Sequence, residues 1–198
     1  MFLKKLKEFY RYRKFRKSLI VLGPGCELDG SLRITFPNRT RFGEHIYVGP
    51  GCYFNAQGGL DIGDHSVIAP EVLILTSIHR YKDATKLPYD EVDVLRPVHI
   101  GRCAWLGMRA VIMPGVILGE GCIVGAAAVV TKSYEAGTIL AGNPAKPIGQ
   151  RDMARYQDLT ERKQFYLKLK REQGLLKKEL ADQNRSPHQA QHLESMNV

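Results

Sequence analysis

The sequence predicts an all-β solenoid, a parallel β-helix of hexapeptide repeats with helices at both ends. Three observations carry that prediction. Ile100, Leu106, Ile112, Leu118, Val124 and Val130 stand six residues apart. A period of six fits neither a helix nor an alternating strand, and marks short flat strands that meet at turns, three hexads to a coil. Four of those six residues are followed by Gly (Gly101, Gly107, Gly119, Gly125), and the first five are followed four places on by Ala104, Ala110, Val116, Cys122 and Ala128. The same beat runs upstream through Leu22, Leu28 and Ile34, then Phe42, Val48 and Phe54, then Ile62, Ile68 and Ile74.

Each hexad sends its large aliphatic residue inward and a small one towards the next corner, where a triangular prism narrows. The glycines read as turn residues, suited to backbone angles that a side chain resists. The frame slips by two residues at each upstream break, so the first coils are 20 residues long. Roughly five coils at about 4.8 Å each give a prism of about 24 Å. All the extra residues leave from the third corner, which is where function is to be sought.

Residues 1–20 are expected to form one basic amphipathic helix. Phe2, Leu6, Phe9, Tyr12, Phe15 and Leu19 fall three or four apart among eight Lys and Arg and a single Glu. Packing on the chain's own prism or a neighbour is one reading of it. Peripheral association with an anionic membrane surface is the other, tested by deleting residues 1–20 and measuring vesicle binding. Nothing downstream supplies a basic groove or base-reading motif, so nucleic acid is not an expected partner. Residues 21–150 hold 11 basic and 12 acidic residues, so the net charge of +9 comes mainly from the amino terminus.

The solenoid domain spans 21–150. It is interrupted by an excursion, residues 80–99, which is too long for an idle loop and reads as a lid or binding loop. Residues 151–183 are expected to form one or two amphipathic helices capping the open end of the prism, with a break at Gly174, and 184–198 a disordered tail. Cys26, Cys52 and Cys122 take small inward positions and Cys103 lies beside one, so all four read as core residues in a reducing compartment. No 18-residue apolar run or signal-peptide core is present, and a cytoplasmic location, possible at the inner membrane face, is expected.

His79 is the best candidate for chemistry, because it stands where the excursion begins, above the polar corner holding Asn55 and Asp61. An imidazole titrates near neutrality and suits general-base work on a hydroxyl or amine attacking an activated acyl group. His45 and His65 fall at outward turn positions, His99 closes the excursion, and His188 and His192 lie in the tail. No inward or corner pair of histidines has zinc-ligand spacing, so no metal is expected.

The runs Ala104-Trp105-Leu106-Gly107, Val111-Ile112-Met113-Pro114-Gly115-Val116, Val124-Gly125-Ala126, Val129-Val130-Thr131-Lys132 and Ala141-Gly142-Asn143-Pro144-Ala145-Lys146 resemble the hexapeptide-repeat acyltransferases. Within them the chain is most similar to maltose and galactoside O-acetyltransferases and polysaccharide-modifying O-acetyltransferases. The resemblance implies a left-handed parallel β-helix, against the usual right-handed crossover. It implies a homotrimer with acetyl-CoA in the groove between two prisms.

By position, the resemblance makes His79 the catalytic base for direct transfer and the Met108 N–H an oxyanion donor. Trp105, Gly107, Ala126, Thr131, Lys132 and Lys146 would meet the coenzyme. Asn55, Asp61 and Asp93 would meet the saccharide acceptor. Residues 1–20 do not match the acceptor-binding helical segment of the maltose type, and Ser133-Tyr134-Glu135-Ala136 lacks the usual prolines. The expected reaction is acetyl transfer from acetyl-CoA to a hydroxyl of a saccharide or cell-surface polysaccharide precursor. N-acetylation of a nucleotide-linked amino sugar and a non-catalytic trimeric scaffold are the alternatives.

Overall fold

The computed structural model describes residues 19–174. Expectations for residues 1–18 and 175–198, the basic helix and polar tail among them, fall outside the described residues. The fifteen frame residues form three ladders. Leu22, Phe42, Ile62, Ile100 and Leu118 are successive rungs of the first face. Leu28, Val48, Ile68, Leu106 and Val124 build the second, and Ile34, Phe54, Ile74, Ile112 and Val130 the third. All these pairings are parallel, and the chain winds as a left-handed β-helix with its aliphatic core sealed inside the three faces.

A sixth coil begins with Tyr134, bridged in parallel to Leu118 on the first face, and continues with Leu140, the rung above Val124. Thr138–Ala141 then pairs antiparallel with Lys146–Gln150, which closes that edge of the second face. Cys26, Cys52 and Cys122 are buried and Cys103 is half-buried.

The glycines after the frame residues serve a different purpose from the one expected. The left-handed backbone positions fall two residues later, at Gly25, His45, His65, Cys103, Gly121 and Gly137 along the corner between the first and second faces. The frame glycines are needed because corners of successive coils touch. A Cβ on Gly63 would stand 2.5 Å from the Arg102 nitrogen, and one on Gly107 2.6 Å from the Ala126 nitrogen.

The helices depart from expectation too. α1 (Met153–Glu161), capped by Asp152 accepting from the Arg155 N–H at 2.9 Å, and α2 (Tyr166–Gln173) do not cover the open end. They lie against the corner between the first and second faces. Tyr156 packs over Gly121 and Met153 over Gly137, and Arg151 Nε donates to the Gly121 carbonyl at 2.6 Å. The physical reason is that the closing hairpin already satisfies the end strand, whereas bare glycine corners leave room for side chains. Gly174, with φ +63°, ends α2. No helix among the described residues is long and apolar enough to cross a membrane.

Candidate active site

The third face of the third coil ends at Leu75. Thr76 is buried; its Oγ1 accepts from the Gly58 N–H at 2.7 Å and donates to the Asn55 carbonyl at 2.8 Å. That anchors the point where the chain leaves the prism. It leaves as a two-stranded arm, Ser77–His79 antiparallel to Asp93–Leu95, with His79 opposite Asp93. The excursion thus has secondary structure of its own, and His79 stands on its first strand. Asp90 organises the rest of the arm. Buried, it binds the Arg80 guanidinium and accepts from the N–H groups of Thr85 at 3.0 Å and Val92 at 3.2 Å. Arg80 holds its carboxyl well below the usual carboxylate range.

His79 Nδ1 lies 2.8 Å from Asp93 Oδ1. Asp93 Oδ2 accepts from Gln57 Nε2 at 2.9 Å, and Gln57 Oε1 accepts from Ser77 Oγ at 2.9 Å. Ser77 Oγ in turn accepts from Asn55 Nδ2 at 3.1 Å. The Gln57 bond first, and His79 after it, lower the Asp93 pKa. An ionised carboxylate can only accept, so it assigns the proton to Nδ1 and leaves the Nε2 lone pair outward. Tyr89 stacks on the imidazole, 4.1 Å between centroids and 8° from parallel.

The sequence reading of the acceptor residues changes accordingly. Asp93, expected to meet the acceptor, is engaged with His79 and Gln57. Asp61 is not brought to this network; it faces outward on the first face, 3.9 Å from Arg41 Nε. Asn55 joins through Ser77. Gln57, Ser77 and Tyr89 were not anticipated. Gln57 lies in the polar corner after Asn55, but which polar residue reaches Asp93 depends on an antiparallel register that the hexad beat does not describe.

The remaining candidates lie elsewhere on the prism. At the corner between the second and third faces, Gly107–Ala110 forms a type II turn. The Ala110 N–H donates to the Gly107 carbonyl at 3.1 Å, and Arg109 takes φ +61°. Gly125–Ala128 repeats it, with Ala127 at φ +57°. The preceding turn position is occupied, coil by coil, by Pro50, Pro70, Met108 and Ala126. The prolines carry no N–H. Those of Met108 and Ala126 donate to no carbonyl among the described residues. Trp105 stands half-exposed on the second face beside them.

Thr131 and Lys132 are exposed at the third corner, two coils above His79, and Lys146 is exposed at the start of the closing strand. Neither lysine forms an ion pair among the described residues. The Met108 corner and the His79 corner are separated by the whole third face, roughly 15–20 Å at ~3.3 Å per residue. One protomer does not bring these two groups together.

Residues 97–132 match the model of the bacterial transferase hexapeptide family, six repeats. WcaF of Escherichia coli, whose name assigns it to acetyl transfer in colanic acid biosynthesis, is 31% identical over 144 residues, 72% of this chain and 76% of that protein. A Schizosaccharomyces pombe protein likewise named as an acetyltransferase is 30% identical over 122 residues; the match takes 62% of this chain and only 58% of the yeast protein. Among solved structures, a galactoside acetyltransferase in complex with coenzyme A has the same fold, with TM-score 0.67, 23% identity and coverage of 73% of this chain and 72% of that one. The rungs, the corner turns and these similarities agree: the chain belongs to the hexapeptide-repeat bacterial transferases.

Proposed function

We propose that this protein is an O-acetyltransferase that moves acetyl from acetyl-CoA to a saccharide hydroxyl, at sites formed between copies in a homotrimer. The observation that carries the reading is the 2.8 Å bond between His79 Nδ1 and Asp93, which leaves Nε2 free as a base. His79 takes the hydroxyl proton as that oxygen attacks the thioester carbon, and returns it to the departing thiol sulfur. Asp93 keeps the imidazole in the required tautomer and stabilises its cationic form.

The groups expected at the coenzyme fit such a ligand. Trp105 offers a flat apolar surface, and Ala126, exposed and small, lets a thin arm approach its N–H. The unpaired Lys132 and Lys146 suit a phosphorylated end. The Met108 N–H meets charge developing on the thioester oxygen. Support from comparison comes from the galactoside acetyltransferase solved with coenzyme A and from WcaF, named for polysaccharide biosynthesis. Because His79 and Met108 sit at different corners, the reading requires Met108 of a second copy to face His79 of the first.

The test is acetyl-CoA-dependent thiol release with a panel of saccharides, wild type against His79→Ala, followed by treatment of the product with hydroxylamine. A hydroxylamine-labile product, absent with the variant, is expected. A stable amide product would replace hydroxyl with amine as the acceptor. Absence of thiol release and of acetyl-CoA binding would leave only the scaffold.

A further inference from the structure

A second cluster of titratable rings lies away from this site, on the corner between the first and second faces. Its left-handed positions stack from coil to coil as Gly25, His45 and His65. A Cβ on Gly25 would fall 2.3 Å from His45 Nδ1, so glycine makes room for that ring. The His45 and His65 rings stack with centroids 5.4 Å apart, and His65 stacks on Phe165 at 3.8 Å and 7°. Phe165 is the residue immediately preceding α2. The Arg102 guanidinium lies 5.5 Å from the same phenyl ring. Beside the stack a cavity of about 210 Å³, lined by Cys103, Arg151, Tyr156 and Gln164 among others, separates the helices from the prism. Phe165 thus docks the start of α2 on the prism through a stack of three rings that borders an open pocket.

His45 Nδ1, His65 Nδ1 and Arg102 Nε are buried without a hydrogen-bond partner among the described residues. A bare imidazole nitrogen tolerates that environment; a charged N–H without an acceptor does not. We propose that this stack is a proton-released latch, in which proton uptake by His65, stacked between His45 and Phe165, frees Phe165 and with it α2 from the prism.

The groups facing His65 support the direction. Burial first, then the His45 ring, lower its pKa, and Arg102 adds to this, while Asp64 and Glu44 oppose it without reversing it. From the helical side Phe165 is uncharged. Tyr156, whose hydroxyl donates to Glu120 at 3.2 Å, Arg151, Tyr166 and Cys103, whose thiol pKa is pushed up by burial, line the pocket beside the ring and place no carboxylate there. The docked state therefore binds fewer protons than the undocked one. Docking is at full strength above the ordinary imidazole pKa of about 6.5, and weakens as pH falls from there through the lower pKa of the docked ring.

Amide hydrogen exchange of residues 169–173, the hydrogen-bonded amides of α2, in the full chain between pH 5 and 8, corrected for intrinsic rates, tests this. Protection should fall by up to about tenfold per pH unit for each proton taken up within the window, while the amides of 77–95 stay constant. His65→Phe keeps a ring and removes the titration, so its protection should be flat with pH. Phe165→Ala should be weakly protected at every pH. Flat protection in the wild type, or an unchanged fall in His65→Phe, overturns the latch. A measurement on variants that need no histidine replacement is the NMR titration of the His65 ring. Its pKa should rise in Phe165→Ala, and an unchanged value also overturns the proposal.

Discussion

His79 and Asp93 face each other across a two-stranded arm that stands off the prism, their Nδ1 and Oδ1 atoms 2.8 Å apart. Because both residues ride on the same arm, the pair is set by arm register and not by the stacking of coils. His79→Ala should lower kcat roughly 10²- to 10⁴-fold. Asp93→Asn should lower kcat about 10-fold or more with little change in acceptor KM, because the amide can present its N–H to Nδ1 and favour the wrong tautomer. Steady-state kinetics separate this from a contact to the acceptor, which would raise KM and spare kcat. The lowered Asp93 pKa means its charged form is complete above the ordinary carboxylate value of about 3.9. What it contributes to stability is lost only as pH falls through the lower folded value, so an activity loss near neutrality cannot be assigned to Asp93.

Met108→Pro separates the backbone donor from the fold. Pro50 and Pro70 already occupy the same turn position in the coils below, and proline suits the first central residue of a type II turn. The variant should melt within about 4 °C of wild type, since a compatible proline changes stability by only about 0.4–1 kcal/mol. It should nevertheless lose about 10²- to 10³-fold in kcat, the magnitude expected for removing one oxyanion donor. A Met108→Pro enzyme of normal stability and normal turnover would show that this N–H takes no part in the reaction.

Much of the prism was legible because one repeated contact, an inward aliphatic residue stacked on its equivalent in the next coil, writes itself into the chain at a fixed spacing. The rungs Ile62–Ile100 survive even the excursion between them. Other features escaped because they depend on contacts without a period. The partnership of Gln57 with Asp93 spans 36 residues and follows from how the arm folds back. The docking of Phe165 on His65 joins a helix to a corner through a ring stack, and nothing in the hexad beat marks His65 as different from any outward turn residue. The frame glycines were visible for the wrong reason, since a sequence shows that a side chain is missing but not which neighbour occupies its place.

That neighbour gives a direct comparison between two glycines. A Cβ on Gly63 would meet the Arg102 nitrogen at 2.5 Å and Cα at 2.8 Å, backbone that cannot rotate away, whereas one on Gly30 meets nothing within 4 Å. Gly63→Ala should cost about 1–3 kcal/mol, as overpacking does, which for a chain of this size lowers Tm by about 2–4 °C per kcal/mol. Gly30→Ala should be neutral or slightly stabilising. Thermal unfolding of the two variants measured side by side checks this, and equal melting temperatures would remove close approach as the reason for the frame glycines.

The separation of His79 from Met108 by a full face of the prism makes the sharing of a site between copies a measurable claim. If each site takes its imidazole from one protomer and its backbone donor from the neighbour, His79→Ala and Met108→Pro damage different halves of it. Co-expressing the two variants with different affinity tags and purifying through both yields mixed oligomers. In these, some interfaces combine the intact His79 of the Met108→Pro chain with the intact Met108 of the His79→Ala chain. Around a closed ring of three that holds both variants, about one interface in three joins the two intact sides, whichever variant is in excess. Mixed oligomers should therefore recover about a third of wild-type kcat per protomer, with wild-type KM, although each parent is nearly inactive. If a single protomer carried both groups of its own site, every site in the mixture would hold one defect, and activity would stay at the parental level however the copies were combined.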